Sequence, residues 1–172
     1  EIKSNPTTAY VIDEGGVCVT NFHVGKEYST KPYLSLSVMT KEGKSYPVTK
    51  ITSCSESDDL MVFQVDTKGD KLAALPLGNT ATKGAAIHLM GHPNANFYRY
   101  SSGVISSFDT SSLAGQACNT MSITAYFNIR SSGGPIVDNC GNVVGTVSRI
   151  TDSGERIGIP VSELKKLIEF KK

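Results

Sequence analysis

Three separated segments of this 172-residue chain carry side chains suited to nucleophilic chemistry. In Asn128-Ile129-Arg130-Ser131-Ser132-Gly133-Gly134-Pro135, a serine precedes two glycines and a proline, with apolar Ile136 and Val137 behind them. A serine hydroxyl is a weak nucleophile. It needs a tight turn to present it, backbone N–H groups for the oxyanion it creates and a base for its proton. The glycines serve the turn by removing side chains that would crowd it. Ser-Gly-Gly-Pro is equally the composition of a plain surface turn, so the partners decide. Upstream, residues 16–24 form an apolar β-type run that delivers His23 at its end. A histidine alone is most often structural. Between the two lies Asp59, heading the apolar run 60–65, where a lone aspartate reads as a strand-end residue. Histidine, aspartate and serine in that order, each at the edge of an apolar β-run, point to a serine activated by a base that a carboxylate orients.

The elements that must hold these residues read as short strands separated by turn residues, the pattern of an all-β barrel or sandwich. Residues 9–12 and 16–20 bracket the hairpin turn Asp13-Glu14-Gly15; 33–39 alternate apolar and polar; 46–51 and the run after Asp59 follow, and together these would close a first barrel. Residues 67–71 and 78–84 read as a connection. A second set comprises 85–90, 98–106, 121–126, 135–137, 143–150 and 156–159. Only the end looks helical: Ser162 is a good N-cap, Glu163 stands in the first turn, and Leu164, Leu167 and Ile168 share a face opposite lysines. The Lys165-Lys166 and Lys171-Lys172 pairs read as a solvated helix face.

Composition narrows the function classes. Hydrophobic content of 39% and charged content of 19% are ordinary for a globular domain, and 17 basic against 16 acidic residues give a formal net charge of +1. That balance suggests neither a nucleic-acid nor an anionic-membrane partner, and no apolar run has the length of a membrane span. No signal peptide is read at the start. Cys18, Cys54, Cys118 and Cys140 have no C-x-x-C pairing, and no histidines stand at zinc-finger spacing, so no metal or other cofactor is expected. His88 and His92 stand four apart, the spacing of one helical face, but the run reads as a strand that gives way to a turn before His92, so the pair is read as structural rather than metal-binding. Cys118 and Cys140 flank the serine segment and come within disulfide reach if their strands pair antiparallel across it; Cys18 reads as a small buried hydrophobe. An even cysteine count is compatible with a periplasmic or secreted protein.

The runs Val19-Thr20-Asn21-Phe22-His23-Val24, Asp59-Leu60-Met61-Val62 and Ser132-Gly133-Gly134-Pro135 resemble the three signature segments of the chymotrypsin-fold serine peptidases, particularly the bacterial HtrA-like branch. Leu75-Pro76-Leu77-Gly78, Gly91-His92-Pro93, Ser102-Gly103-Val104-Ile105-Ser106 and Gly158-Ile159-Pro160-Val161-Ser162 extend the resemblance along nearly the whole chain. It implies two six-stranded antiparallel β-barrels, about 1–75 and 84–159, and a C-terminal α-helix, about 162–171, in a single peptidase domain. It also implies a serine endopeptidase working through an acyl-enzyme, with His23, Asp59 and Ser132 as triad in the cleft between barrels and an extended peptide or protein as substrate. Asp59 is preferred to Asp58 because the family's aspartate directly precedes the apolar run.

Three departures from the family pattern bear on function. The oxyanion donors implied are the backbone N–H groups of Ser132 and of the residue two before it; that residue is usually glycine and here is Arg130. Thr7-Thr8-Ala9-Tyr10 replaces a Gly-Ser-Gly-Phe-like segment, with little consequence expected for the chemistry. Neither an Ile-Val-Gly-Gly-like start nor a PDZ-like extension is seen, which leaves room for a regulatory partner or a flanking domain. The floor of the specificity pocket falls on Tyr126, so a small or medium uncharged side chain is expected there. The alternative function is a pseudo-peptidase that binds peptides without cutting, the reading Arg130 favours. An α/β-hydrolase esterase is disfavoured because Ser132 lacks a Gly-x-Ser-x-Gly elbow.

Overall fold

The computed structural model describes residues 6–30, 35–91, 98–113 and 115–169. In the N-terminal half, β1 (Tyr10–Asp13), β2 (Val17–Thr20), β3 (Ser37–Met39), β4 (Ser45–Ser55) and β5 (Leu60–Val65) form an antiparallel sheet in the order β1-β2-β5-β4-β3. The central strand β5 is apolar almost throughout because both its faces are covered. Leu60 and Val62 point to one core with Tyr10, Val143, Ile159 and Leu164, while Met61, Phe63 and Val65 point to another with Cys18 and Tyr46. Each such buried aliphatic side chain contributes about 1.5–3 kcal/mol.

The C-terminal half comprises β6 (Ala86–Gly91), β7 (Arg99–Leu113), β8 (Gln116–Ile123), β9 (Pro135–Val137), β10 (Val143–Ile150) and β11 (Arg156–Pro160). These six close into a barrel in the order β10-β11-β8-β7-β6-β9, around Ile87, Leu89, Ile105, Met121, Phe127 and Ile136. The all-β architecture in two parts with a C-terminal helix is therefore the expected one, with one difference. Among the described residues the first half is a five-stranded sheet, not a six-stranded barrel. Its five strands overlap the five strand runs read from the sequence, and the chain that follows β2 turns into a helix.

That helix, α1 (Phe22–Thr30), corrects the expectation that only the C-terminus is helical. It is short, has no acidic residue in its first turn and no basic one in its last, and contains Gly25 and a β-branched Val24, so local propensity is poor. Packing against β5 holds it: a side chain at Gly25 would overlap the Met61 thioether. The C-terminal α2 (Val161–Glu169) begins one residue early, so Ser162 lies within its first turn and is not the N-cap. Leu164, Leu167 and Ile168 pack against the core shared by the two halves, as their spacing predicts. Strand β7 runs on to Leu113, beyond the predicted end at 106; its polar continuation is paired to β8 from Ser107↔Ser122 to Leu113↔Gln116. Residues 92–97, including His92, and Lys171-Lys172 lie outside the described residues.

Candidate functional site

The register of β2 with β5 sets the first part of the site. Thr20 pairs with Met61, so the chain leaving β2 into α1 passes beside the residues entering β5. His23 thereby meets Asp59: its Nδ1 lies 2.9 Å from both carboxylate oxygens, and its backbone N–H donates to Oδ1 at 3.1 Å. The Ser148 hydroxyl on β10 donates to Oδ2 at 2.7 Å, and Asn21 Nδ2 donates to the Asp59 carbonyl at 3.0 Å. Asp59 is 4% exposed, whereas the His23 side chain is 52% exposed. A carboxylate at Nδ1 keeps the ring proton there and leaves Nε2 as the basic nitrogen. Asp59 sits at φ 50°, in the left-handed region that aspartate tolerates better than most residues. Asp58 has a different task. Its N–H donates to the Ser55 hydroxyl at 3.2 Å, and its carboxylate accepts from the same hydroxyl at 2.7 Å, closing the β4–β5 turn.

The second part is the segment between β8 and β9. Ala125 and Phe127 anchor it in the barrel core. Asn128 then starts a single 3₁₀ turn, Ile129–Ser131, accepting the Ile129 N–H on its side chain at 2.7 Å and the Ser131 N–H on its carbonyl at 2.8 Å. Ser131 is fully buried, with its hydroxyl unpaired among the described residues. Ser132 follows at 7% exposure. Gly133 then turns the chain at φ 87°, where a Cβ would overlap Thr20 Oγ1 and the Thr8 carbonyl. Only glycine fits that joint. The Gly133 N–H donates to the Val147 carbonyl at 2.9 Å, so β10 holds the serine turn through Val147 and Asp59 through Ser148.

The structure thus joins His23 to Asp59 and seats the Ser132 turn against the same strands, but it does not bond Ser132 to His23. The Ser132 hydroxyl donates instead to the Ile129 carbonyl at 3.2 Å. In a trans peptide the C=O and the following N–H point in opposite directions. With the Ile129 carbonyl aimed at Ser132 Oγ, the Arg130 N–H faces away from it.

Four residues of this site had gone unrecognised in the sequence. Thr7 Oγ1 and the Thr8 N–H both donate to the Ser132 carbonyl, at 3.0 and 3.3 Å, and Thr8 Oγ1 donates to the Arg130 carbonyl at 2.9 Å. The segment expected to have little consequence for the chemistry therefore clamps the serine turn. Its signal was its departure from the family pattern. Asn128 is an N-cap type residue at the head of the turn, and Ser148 carries no local signal at all. Tyr126 is 55% exposed, with the Arg156 guanidinium 4.8 Å over its ring.

Residues 7–145 match the family model described as a trypsin-like peptidase domain. The chain belongs to that family. The trypsin-like peptidase domain is also 26% identical over 172 residues to the mitochondrial serine protease HTRA2 of Drosophila pseudoobscura pseudoobscura and to that of Drosophila persimilis. Those matches cover 98% of this chain and 39% of each fly protein, so the chain spans about two fifths of the length of these curated relatives. Among solved structures, that of Deg5 superposes with a TM-score of 0.78 at 23% identity, over 94% of this chain and 81% of that one. The HtrA-type protease AlgW with a decapeptide superposes at 0.79 and 23% identity, over 98% of this chain and 53% of AlgW. Both carry the fold of this domain.

The remaining sequence candidates of the trypsin-like domain lie apart from the site. The conditional disulfide is corrected: all four cysteines are free, with Cys118 buried and Cys140 exposed. In the barrel, β8 lies between β11 and β7, whereas β9 lies between β6 and β10, so the strands near Cys118 and Cys140 do not pair. Cys18 is fully buried, and burial pushes its thiol up to about 12, which leaves it inert. His88 Nδ1 lies 2.7 Å from the Tyr100 hydroxyl and Nε2 lies 2.6 Å from Asn139 Oδ1. Among the described residues no group of acidic, histidine or cysteine side chains gathers as for a metal, and no helix is long and apolar enough to cross a membrane.

Proposed function

We propose that this chain is the catalytic domain of a serine endopeptidase, with His23 as general base, Asp59 as its orienting carboxylate and Ser132 as nucleophile. The observation that carries the reading is the buried Asp59 carboxylate, bonded at once to His23 Nδ1 and to Ser148, in a chain of the trypsin-like peptidase family. His23 Nε2 takes the proton as Ser132 Oγ attacks the peptide carbonyl, and Asp59 stabilises the imidazolium that forms. The proton then passes to the leaving amine, and water releases the acyl group by the same route. The peptide lies extended along residues 148–150, because the ladder between β9 and β10 ends at Thr146↔Pro135 and leaves this stretch of β10 unpaired on that side. The sheet, the barrel and α2 act as one peptidase unit.

The arrangement described is a resting one. Bringing the Arg130 N–H round to the oxyanion requires rotation of the Ile129–Arg130 peptide, which carries Arg130 toward positive φ. Arg130 is not among the residues with positive φ. For a residue with a side chain that region costs about 1–2 kcal/mol, which a bound substrate must offset.

Intact-mass labelling with a fluorophosphonate tests the reading, because the probe reports an activated serine without a known substrate. A single adduct on the native chain, lost in Ser132→Ala and slowed at least a thousandfold in His23→Ala, is expected. A folded native chain that takes no adduct would overturn the peptidase reading in favour of a domain that binds peptides without cutting them.

A further inference from the structure

We propose that Arg156 makes this site select peptides bearing an acidic side chain, Glu or Asp, at the residue whose carbonyl Ser132 attacks. The proposal rests on the peptidase reading and adds the substrate class.

Register places Arg156 beside the site. It pairs with Ile150 on β10 and with Ile123 on β8, and Ile150 is two residues beyond Ser148, the residue that holds Asp59. At ordinary strand rise and spacing, the Arg156 backbone is roughly 8 Å from that of Ser148. Its side chain reaches the segment that leads into the serine turn: Nε donates to the Phe127 carbonyl at 3.4 Å, and the guanidinium stacks 4.8 Å over the Tyr126 ring. Tyr126 lies between buried Ala125 and Phe127 and is itself exposed; with a peptide running along residues 148–150, as the peptidase reading has it, the pairing of Arg156 with Ile150 sets the Arg156–Tyr126 pair beside the attacked residue.

The end of the guanidinium is uncommitted. Among the described residues Nη1 and Nη2 make no hydrogen bond, and none of the ion pairs includes Arg156. The neighbouring carboxylate, Glu155, is engaged elsewhere, accepting from the Ser122 hydroxyl at 2.5 Å. Arg130, two residues before Ser132, likewise has no carboxylate partner, and Asp59 is buried between His23 and Ser148. Among the described residues, the two carboxylates named, Glu155 and Asp59, are thus engaged and leave the Arg156 guanidinium without an acidic partner. A guanidinium held over an aromatic ring, with its outer two nitrogens free, is a preorganised fork for a carboxylate, and it repels lysine and arginine side chains. The expectation of a small or medium uncharged residue was drawn from Tyr126 alone. Arg156 lies 30 residues downstream and meets Tyr126 only in the fold.

The test is binding of short fluorescent Ala/Val peptides with a single central Glu, Gln or Lys to the Ser132→Ala protein, by anisotropy. The Glu peptide is expected to bind about tenfold tighter than the Gln peptide and the Lys peptide weakest, as a charge-assisted bond requires. Arg156→Gln in the same background should abolish the difference between Glu and Gln, and Arg156→Lys, which keeps the charge but loses the fork, should retain part of it. Equal binding of Glu and Gln peptides, or a Glu preference that survives Arg156→Gln, would overturn the proposal. Fluorophosphonate labelling of the native chain judges the peptidase reading separately, since the binding comparison needs no turnover.

Discussion

His23 and Asp59, both carried by the N-terminal sheet, are locked together by a buried carboxylate with three donors on its oxygens, whereas Ser132, carried by the barrel, gives its hydroxyl to a carbonyl of its own turn. The first arrangement follows from strand register and burial, and undoing it would strand a charge in the interior. The second depends on the direction of one peptide in a turn that is tied down by Thr7, Thr8 and Asn128. One half of the site is thus rigid by construction, and the other is set by a local conformational balance.

The joint between the halves is the most sensitive place to break this contrast. At Gly133 an added methyl meets Thr20 and the Thr8 backbone in a conformation of positive φ, so Gly133→Ala should destabilise the domain by about 3 kcal/mol. The urea midpoint measures this, and an unshifted midpoint would mean that the two halves are not clamped there.

A smaller effect separates the balance in the serine turn from the fixed pair. Arg130→Gly removes the side chain that disfavours positive φ and should raise the fluorophosphonate labelling rate about tenfold, with stability changed little. An unchanged rate would show that residue 130 does not control the direction of the peptide, and that the Thr7 and Thr8 bonds do.

The smallest effect concerns the helix that packs on both halves. Burial pushes the Glu163 carboxyl up, but bonds from Asn119 on β8, Lys166 and Ser162 outweigh it and hold the group below its ordinary value near 4.5. A carboxyl lowered in the folded state stabilises above its unfolded value, and that contribution is lost as pH falls through the folded one. Because the buried Glu163 carboxylate is paired with an exposed Lys166, solvent screens part of the interaction, and Glu163→Gln should lower stability at neutral pH by about 1 kcal/mol, with the loss vanishing in acid. Urea unfolding at about pH 7 and about pH 3 reads this; an equal loss at both would assign it to packing rather than charge.

Much of this was legible because it depends on local chemistry. Alternation and turn residues mark the strands of both halves, and the positions of His23, Asp59 and Ser132 at strand edges are visible without a fold. The helix α1 was not, since its local propensity is poor and it is held by tertiary contacts, the close approach of Gly25 to Met61 and the bond from the His23 N–H to Asp59. The polar end of β7 was missed for the same kind of reason: it has no apolar alternation, and its partner strand supplies the order. Ser148 and Arg156 are ordinary strand residues until β10 and β11 bring them to Asp59 and Tyr126.

By itself the sequence determined the class of fold and which three side chains could form a nucleophilic site, because hydrophobic period, turn chemistry and side-chain reactivity are properties of neighbours along the chain. Tertiary structure alone decided that Ser148 joins His23 on the Asp59 carboxylate, that Ser132 rests on the Ile129 carbonyl, that Cys118 and Cys140 stay apart and that Arg156 stands over Tyr126. Each of those depends on strand register or the direction of a single peptide, and pairings across the fold are set by packing between residues far apart in the chain.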